Sequence, residues 1–385
     1  MLTALVSATL LLGPVSTRPA GTLLFSDPLD GSGPTSTWRT PPSTFVDLPG
    51  GGRALRYERG TTWGASTQPW VGDESWHDYR VELEVKPEKM WAGVDFHVQD
   101  DGRAGCELTI IDVPGDQLAL EVSGIWDGAS AWKLWPVGQN TIPHTPNAWV
   151  RLRIDVGRDV ANVYADNATQ PFATFRDLPF SRGGIRLAAY AGSAFFRHLR
   201  VSTLPAGSVE PALEDPWAPA REQGVLRSWK VTPRQEPGFG ATGIPSEITD
   251  RLSWQDAPVD GRGVVNLTPF VGPEARPGVV FARASVISAN PGPRRAWVTY
   301  TDDLSLWCNG TLVFEGPPRQ WFHPDREKHG NSRLIPDQYE IEIALVAGEN
   351  EILVRTEVTE ATFGWGFWMR VEESRRLSAS SWSRW

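Results

Sequence analysis

The sequence predicts an all-β protein built as two β-sandwich (jelly-roll) domains in tandem, and three observations carry that prediction. Short runs of alternating apolar and polar residues recur along most of the chain, as expected where successive side chains point to opposite faces of a strand. Glycine (37) and proline (32) are plentiful, turn signals separate the runs, and long stretches of helical periodicity are absent. A proline-rich stretch divides the runs into two sets, and 385 residues exceed what one ordinary domain usually needs.

In chain order, Leu2 to Leu12 is apolar but too short for a bilayer span, and Gly13-Pro14 and the small residues Val15, Ser16, Thr17, Ala20 and Gly21 follow it. Residues 1–21 therefore read as a signal peptide or N-terminal anchor, although no lysine or arginine follows Met1 in its first residues. A secreted or extracytoplasmic location (periplasm or cell surface) is expected, with no transmembrane span in the mature chain. The first sandwich is expected over 22–204, with strands at Tyr79 to Lys86, Trp91 to Val98, Gly105 to Asp112, Gln117 to Gly124, Trp149 to Val156, Ala161 to Asp166, Ile185 to Tyr190 and Phe195 to Val201. Asp100-Asp101-Gly102, Pro114-Gly115-Asp116 and Gly183-Gly184 supply turns between them. Residues 205–224 read as a stiff proline-rich linker. The alternation resumes over 225–373, with strands at Val225 to Val231, Val279 to Ser288, Ala296 to Thr301, Leu304 to Cys308, Thr311 to Glu315, Tyr339 to Val346, Glu351 to Thr356 and Gly366 to Val371. Residues 374–385 are a Ser/Arg/Trp-rich tail.

Composition excludes some functions. A net charge of −9 leaves no basic stripe to neutralise phosphates, so no nucleic-acid partner is expected. Arginine far outnumbers lysine, which points to a GC-rich bacterial source. Cys106 and Cys308 lie in different predicted domains, so a bridge between them is not expected, and Cys106, on a core face beside Leu108 and Ile110, reads as a buried free thiol. The 19 tryptophans against 6 tyrosines suit either sandwich cores or the stacking of sugar rings.

The clearest functional signal is Trp91-Ala-Gly-Val-Asp-Phe-His-Val98. Ala92, Val94, Phe96 and Val98 share one face; Trp91, Gly93, Asp95 and His97 share the other. If the next two predicted strands continue a meander, they add Glu107 and Thr109, then Glu121 and Ser123, to that second face. Strands roughly 4.8 Å apart would bring Asp95, Glu107 and Glu121 within the separations glycosidases use. His97 would serve as a base or orient a sugar hydroxyl. These four are the catalytic candidates. Trp91, Thr109, Ser123, Arg186 and Tyr190 are ligand-binding candidates on the same face or its rim. Trp126, Trp132 and Trp135, just past the third strand, would form a stacking wall or plug the end of the sandwich. Antiparallel sheets normally turn polar residues to water, so the carboxylates alone prove little; an aromatic and a glycine among them are what suggest a ligand.

Phe25-Ser-Asp-Pro-Leu-Asp-Gly31, Trp76-His-Asp-Tyr-Arg-Val-Glu-Leu-Glu84, Trp149-Val-Arg-Leu-Arg-Ile154, Gly184-Ile-Arg-Leu187 and Phe196-Arg-His-Leu-Arg-Val201 occur in that succession. The succession resembles the concanavalin A/laminin G-like jelly roll of the bacterial 3-keto-disaccharide hydrolase group, related in fold to family-16 glycoside hydrolases. Thr301-Asp-Asp-Leu-Ser-Leu-Trp-Cys-Asn-Gly-Thr-Leu-Val313, Leu345 to Val354 and Gly364-Trp-Gly-Phe-Trp-Met-Arg370 are similar to the galactose-binding-like jelly roll appended to many glycoside hydrolases. The resemblance implies glycan handling. The family-16 catalytic pattern Glu-x-Asp-x-x-Glu is nevertheless absent, and Glu82 to Glu88 lacks its central aspartate. Nucleophile-elbow, phosphate-loop and His-Glu-x-x-His motifs are absent as well.

No cofactor is required by any motif, and the metal complement is unknown from sequence. Structural calcium is common in such jelly rolls, with Asp27, Asp30, Asp302 and Asp303 as candidates that equally suit turns. His323, Asp325 and His329 are a weaker metal grouping in a polar insertion. The resulting expectation is a secreted protein that binds carbohydrate, an oligosaccharide or polysaccharide, on the concave face of the N-terminal jelly roll. The alternatives are a glycoside or 3-keto-glycoside hydrolase or lyase using the same face, and a surface-adhesion or structural protein, which would bury Trp91.

Overall fold

A computed structural model describes residues 21–58, 68–113, 116–126, 129–130, 141–215, 224–241, 251–270, 277–316, 334, 337–358 and 365–372. Among these residues, strands dominate, two single 3-10 turns are the only helical elements, and no helix is long and apolar enough to cross a membrane. The all-β expectation holds.

The first set of strands is β1 (Leu23–Asp27), β2 (Trp38–Thr40), β3 (Phe45–Asp47), β4 (Arg53–Glu58), β5 (Trp70–Val71), β6 (Tyr79–Val98), β7 (Gly105–Val113), β8 (Gln117–Trp126), β9 (Ala129–Ser130), β10 (Thr141–Pro143), β11 (Val150–Val156), β12 (Val160–Ala165), β13 (Ala173–Arg176) and β14 (Gly184–Thr203). Two pairs of predicted strands are each one continuous strand: the runs at 79–86 and 91–98 form the 20-residue β6, and those at 185–190 and 195–201 form the 20-residue β14. These two long strands pair antiparallel along most of their length. The first half of β6 pairs with β11 and its second half with β7. One hydrogen-bonded sheet thus has two leaves, β13-β12-β11-β6-β14-β1 and β10-β8-β7-β6-β14-β5-β2, with β6 and β14 running through both.

The core lies between the leaves. Val81, Leu83 and Val85 supply it from the first half of β6, and Ala92, Val94 and Phe96 from the second. The inward set changes from odd to even positions, a switch that strict alternation forbids. Register shifts around Ser193 of β14 supply the offset between the halves. The sequence breaks the run at this same place with Pro87, which cannot donate a ladder hydrogen bond.

The second set is β15 (Lys230–Val231), β16 (Gln255–Asp256), β17 (Val265–Asn266), β18 (Gly278–Ser288), β19 (Gly292–Tyr300), β20 (Asp303–Cys308), β21 (Thr311–Glu315), β22 (Tyr339–Leu345), β23 (Gly348–Val358) and β24 (Gly366–Val371). A six-stranded sheet (β16-β15-β18-β23-β20-β21) and a four-stranded sheet (β17-β24-β19-β22) enclose their own core, which includes Val280, Val298, Leu306, Val354, Trp365 and Phe367. The strand expected over 225–231 shrinks to Lys230–Val231, while Val225 makes a single bridge to Arg370. Among the described residues, no strand of the first set pairs with one of the second.

The described part of the expected linker is fastened to the first set rather than free. Asn162 Nδ2 donates to the Glu210 carbonyl at 2.8 Å, the Leu213 N–H donates to Thr174 Oγ1 at 3.2 Å, and Arg176 donates to the Leu213 carbonyl. The two sets also meet directly. Buried Arg262, from the turn before β17, donates to the Arg176 carbonyl at 3.1 Å and lies 3.3 Å from Asp177. Asp260 shapes that turn by accepting from the Arg262 and Val264 N–H groups at 2.8 and 2.9 Å, and burial raises its carboxyl above the usual range. Gly261 lies so close that an added Cβ would be 2.5 Å from Asp177 Oδ1. Gly261→Ala is therefore expected to loosen this contact. Amide exchange should quicken at 176–178 and 260–263 while β6 and β18 stay protected; unchanged exchange at both turns would refute the contact.

Candidate functional site

The second half of β6, with β7 and β8, builds the polar face that the alternation predicts. Val94 and Phe96 face the core together with Leu108 and Ile110 of β7 and Leu120 and Val122 of β8. The opposite face is then set by register. One cross-strand row runs Arg186–Asp95–Glu107–Ser123 over β14, β6, β7 and β8. The next runs Ala188–Gly93–Thr109–Glu121, and a third places Tyr190 opposite Trp91 and Ile111. Asp95 and Glu107 are thus directly opposed, while Glu121 is diagonal to Glu107 on the adjacent strand.

This face is not the open, solvated surface expected. Asp95 and Ser123 have no exposed area, and Glu107, Thr109, Glu121 and Arg186 are buried as well; Trp91 is half-buried. Burial on both sides of the leaf raises the cost of each polar group unless it is partnered. The Asp95 carboxylate meets the Arg186 guanidinium, Oδ2 to Nε, at 2.6 Å. Arg186 Nη1 also donates to the Gly102 carbonyl at 2.6 Å, which carries the 100–104 turn over this row. Gly102 (φ +69°) lies against the Trp70 ring of β5, with Arg39 5.0 Å from that ring's centroid. Thr109 Oγ1 donates to Glu107 Oε1 at 3.2 Å. Gly102 and Trp70 were missed in sequence, where nothing marks a distant turn or an earlier strand as a cover for this row.

His97 requires a correction: it does not join the carboxylates. Its φ of +53° falls where β6 spends three steps, Asp95 to Val98, against two on β14, Arg186 to Gly184. The bulge removes His97 from the alternation. Its ring sits edge-on to Tyr79 and Phe96, with centroids at 5.8 and 5.5 Å, and its N–H donates to Tyr79 Oη at 3.0 Å. Nδ1 lies 2.6 Å from the Phe180 carbonyl, which only accepts, so Nδ1 carries a proton. Burial pushes its pKa down to about 4, against a partial upward pull from the Phe180 carbonyl and from Asp78. The 178–183 loop closes over this ring. Gln99 Nε2 donates to the His97 and Arg182 carbonyls at 2.8 and 2.7 Å, and Gly183 (φ +140°) packs on the His97 backbone too closely for any Cβ.

Of the other candidates, Trp126 ends β8 and Tyr190 faces Trp91 in register, while their side chains lie outside the described residues, as do Trp132 and Trp135 entirely. His323, Asp325 and His329 lie outside them too. Asp27 uses both carboxylate oxygens within the protein, accepting from the Leu29 N–H at 2.7 Å and Trp38 Nε1 at 2.8 Å. Asp30 accepts from the Ser32 N–H and hydroxyl, which hold its pKa down, and Asp302 accepts from Thr301 Oγ1 at 2.9 Å. Among the described residues, no group of three or more His, Cys, Asp or Glu side chains is arranged to hold a metal ion. Cys106 and Cys308 are free and buried.

No protein-family model matches the chain. No curated protein matches it either. Among solved structures, the carbohydrate-binding module CBM66 from Bacillus subtilis is 16% identical, with 43% of this chain and 96% of that one covered, at a TM-score of 0.33. A Bacillus licheniformis beta-glucanase is 12% identical over 48% of this chain and 99% of its own, also at 0.33. A putative beta-glucanase from Mycobacterium abscessus is 13% identical over 46% and 99%, at 0.29. Likenesses at this level accompany the all-β architecture and assign no site.

Proposed function

We propose that the protein recognises carbohydrate at the polar face of β6, β7 and β8. The observation that carries this reading is the register that aligns Asp95, Glu107 and Ser123 in one row and Gly93, Thr109 and Glu121 in the next, all directed away from the core. Carboxylates and hydroxyls in alternation suit the hydroxyl groups of a sugar, and half-buried Trp91 borders them with an apolar ring. The Asp95–Arg186 pair organises the row, and Glu107 and Glu121, buried beside it, are the carboxylates this reading assigns to the ligand.

The test is binding of the full chain to a set of neutral oligosaccharides. Glu107→Gln and Glu121→Gln are each expected to weaken binding about tenfold, the loss of a charge-assisted hydrogen bond. Failure of every glycan to bind, or binding indifferent to both substitutions, would sink the reading.

The diagonal placement of Glu107 and Glu121 favours one second reading, hydrolysis of a glycoside or 3-keto-glycoside. Diagonal neighbours on adjacent strands stand roughly 7–8 Å apart, within the range that leaves room for a water between two carboxylates. Product release from such substrates, abolished by either Glu→Gln change, separates turnover from binding alone. His97 has no part in this reading. An adhesion role asks for a fully buried Trp91, which is instead half-buried. Export through residues 1–21 and a galactose-binding-like role for the second set of strands belong to the same proposal.

A further inference from the structure

The outer face of the other leaf carries a different chemistry. Tyr79, Val81, Leu83 and Val85 point into the core, so Arg80, Glu82, Glu84 and Lys86 of β6 point out. The register of β11 and β14 places Arg151 and Arg197 on either side of Glu84, and Arg153 and Arg200 on either side of Glu82. Each row therefore reads cation, anion, cation across three strands, and one carboxylate cannot neutralise two guanidiniums. The third row adds Asp155, which pairs with Arg80 at 2.6 Å and also lies 3.8 Å from Arg153, so the unshared guanidiniums are those of Arg151, Arg197 and Arg200 against Glu82 and Glu84. A protein with a net charge of −9 thus presents a face on which cations outnumber carboxylates.

The face is also grooved. Glu82, Leu83, Glu84, Arg151, His198 and Arg200 line an open groove of about 280 Å³. A bulge between Arg197 and Arg200 forms one wall, where His198 (φ +59°) tips outward, its Nδ1 3.6 Å from Glu84. Glu84 is already held by Arg197, and Arg197 in turn stacks on Trp149 at 4.2 Å. Arg151 lies 3.6 Å from Glu82, a long and exposed contact, and both Arg151 and Arg200 are solvent-exposed.

We propose that this groove is a second binding site, separate from the face of β6, β7 and β8, and that it takes an anionic polysaccharide bearing carboxylate or sulfate groups. The flanking strands lie roughly 9.6 Å apart and the two rows repeat every ~6.8 Å, spacings that suit one narrow chain with regularly placed anions. Guanidiniums bind carboxylate and sulfate through paired donors, and Trp149 lies next to the row. A broad anionic surface, such as a membrane or duplex, would be opposed by the acidic remainder of the molecule, which a single chain in the groove avoids.

The experiment is titration of the full chain with polygalacturonate, with dextran and a single-stranded RNA as parallel probes, at low salt and at about 0.2 M salt. Polygalacturonate is expected to bind, to weaken with salt, and to lose about tenfold in affinity in Arg151→Gln/Arg200→Gln. Glu82→Gln, which removes the counter-charge between two arginines, should tighten binding several-fold, an effect that misfolding cannot mimic. Glu107→Gln should leave this binding unchanged while weakening neutral glycans, which keeps the two sites distinguishable. Absence of polygalacturonate binding, equal binding of dextran, tighter binding of the RNA, or weakening by Glu82→Gln would each overturn the assignment.

Discussion

Arg186→Ala is expected to destabilise the protein by about 3–5 kcal/mol, because it leaves the Asp95 carboxylate buried without its cation. Asp95 has no exposed area and Arg186 almost none, so solvent does not screen this pair as it screens a surface bridge. The guanidinium also satisfies the Gly102 carbonyl, so its loss removes one of the contacts that hold the 100–104 turn. Asp95→Leu/Arg186→Met, which removes both charges, should recover most of the loss, since a buried pair replaced by apolar residues is often near neutral. Urea unfolding of the single and double variants measures both. A cost below about 1 kcal/mol for Arg186→Ala would mean that water reaches the row, and would return the face to the open surface expected from sequence.

A second large effect is expected at acid pH. The His97 ring is neutral when folded, and burial lowers its pKa to about 4 from the ordinary 6.5. Between those values the unfolded chain binds more protons than the folded one, so stability falls as pH falls. The loss begins near pH 6.5, reaches about 2 kcal/mol by pH 5 and is complete, at about 3 kcal/mol, below pH 4. The ionisable groups bearing on the ring are Asp78, which favours its protonation, and His77, which opposes it; Tyr79 packs on the ring and Phe180 holds Nδ1. His97→Asn keeps a donor for the Phe180 carbonyl and tolerates the positive φ. This variant should therefore lose stability at pH 7 through lost packing yet show a shallower fall from pH 7 to pH 5. Parallel unfolding curves for the two proteins across that range would refute the buried neutral histidine.

The polar rows show how much of the candidate site was legible. Alternation in 91–98, 105–112 and 117–124 identifies the core side of each strand, and short turns make the three strands neighbours, so the sequence itself puts Asp95, Glu107, Thr109 and Glu121 on one face. Two strands were each read as a pair because Pro87 and the 191–194 segment break the apolar pattern, although the backbone continues through both. His97 was misplaced for the same kind of reason. A period of two has no means of registering a bulge, and the positive φ there falls at the register shift, where Gly183 approaches the His97 backbone.

The Arg–Glu–Arg rows on the opposite leaf were overlooked because each arginine and glutamate, taken singly, looks like an ordinary solvated position. Their meaning lies in the pairing of β6 with β11 and β14, which brings together residues more than 60 positions apart.

The sequence by itself determined the all-β class and the inward face of most strands, because both depend on local periodicity and turn chemistry. Tertiary structure alone decided that the carboxylate face is covered, that Arg186 pairs with Asp95, that His97 is buried and that residues 205–215 are fastened to β12 and β13. All four depend on which distant segment packs against a strand's second face, and a strand's own alternation reads the same whether that face meets water or protein.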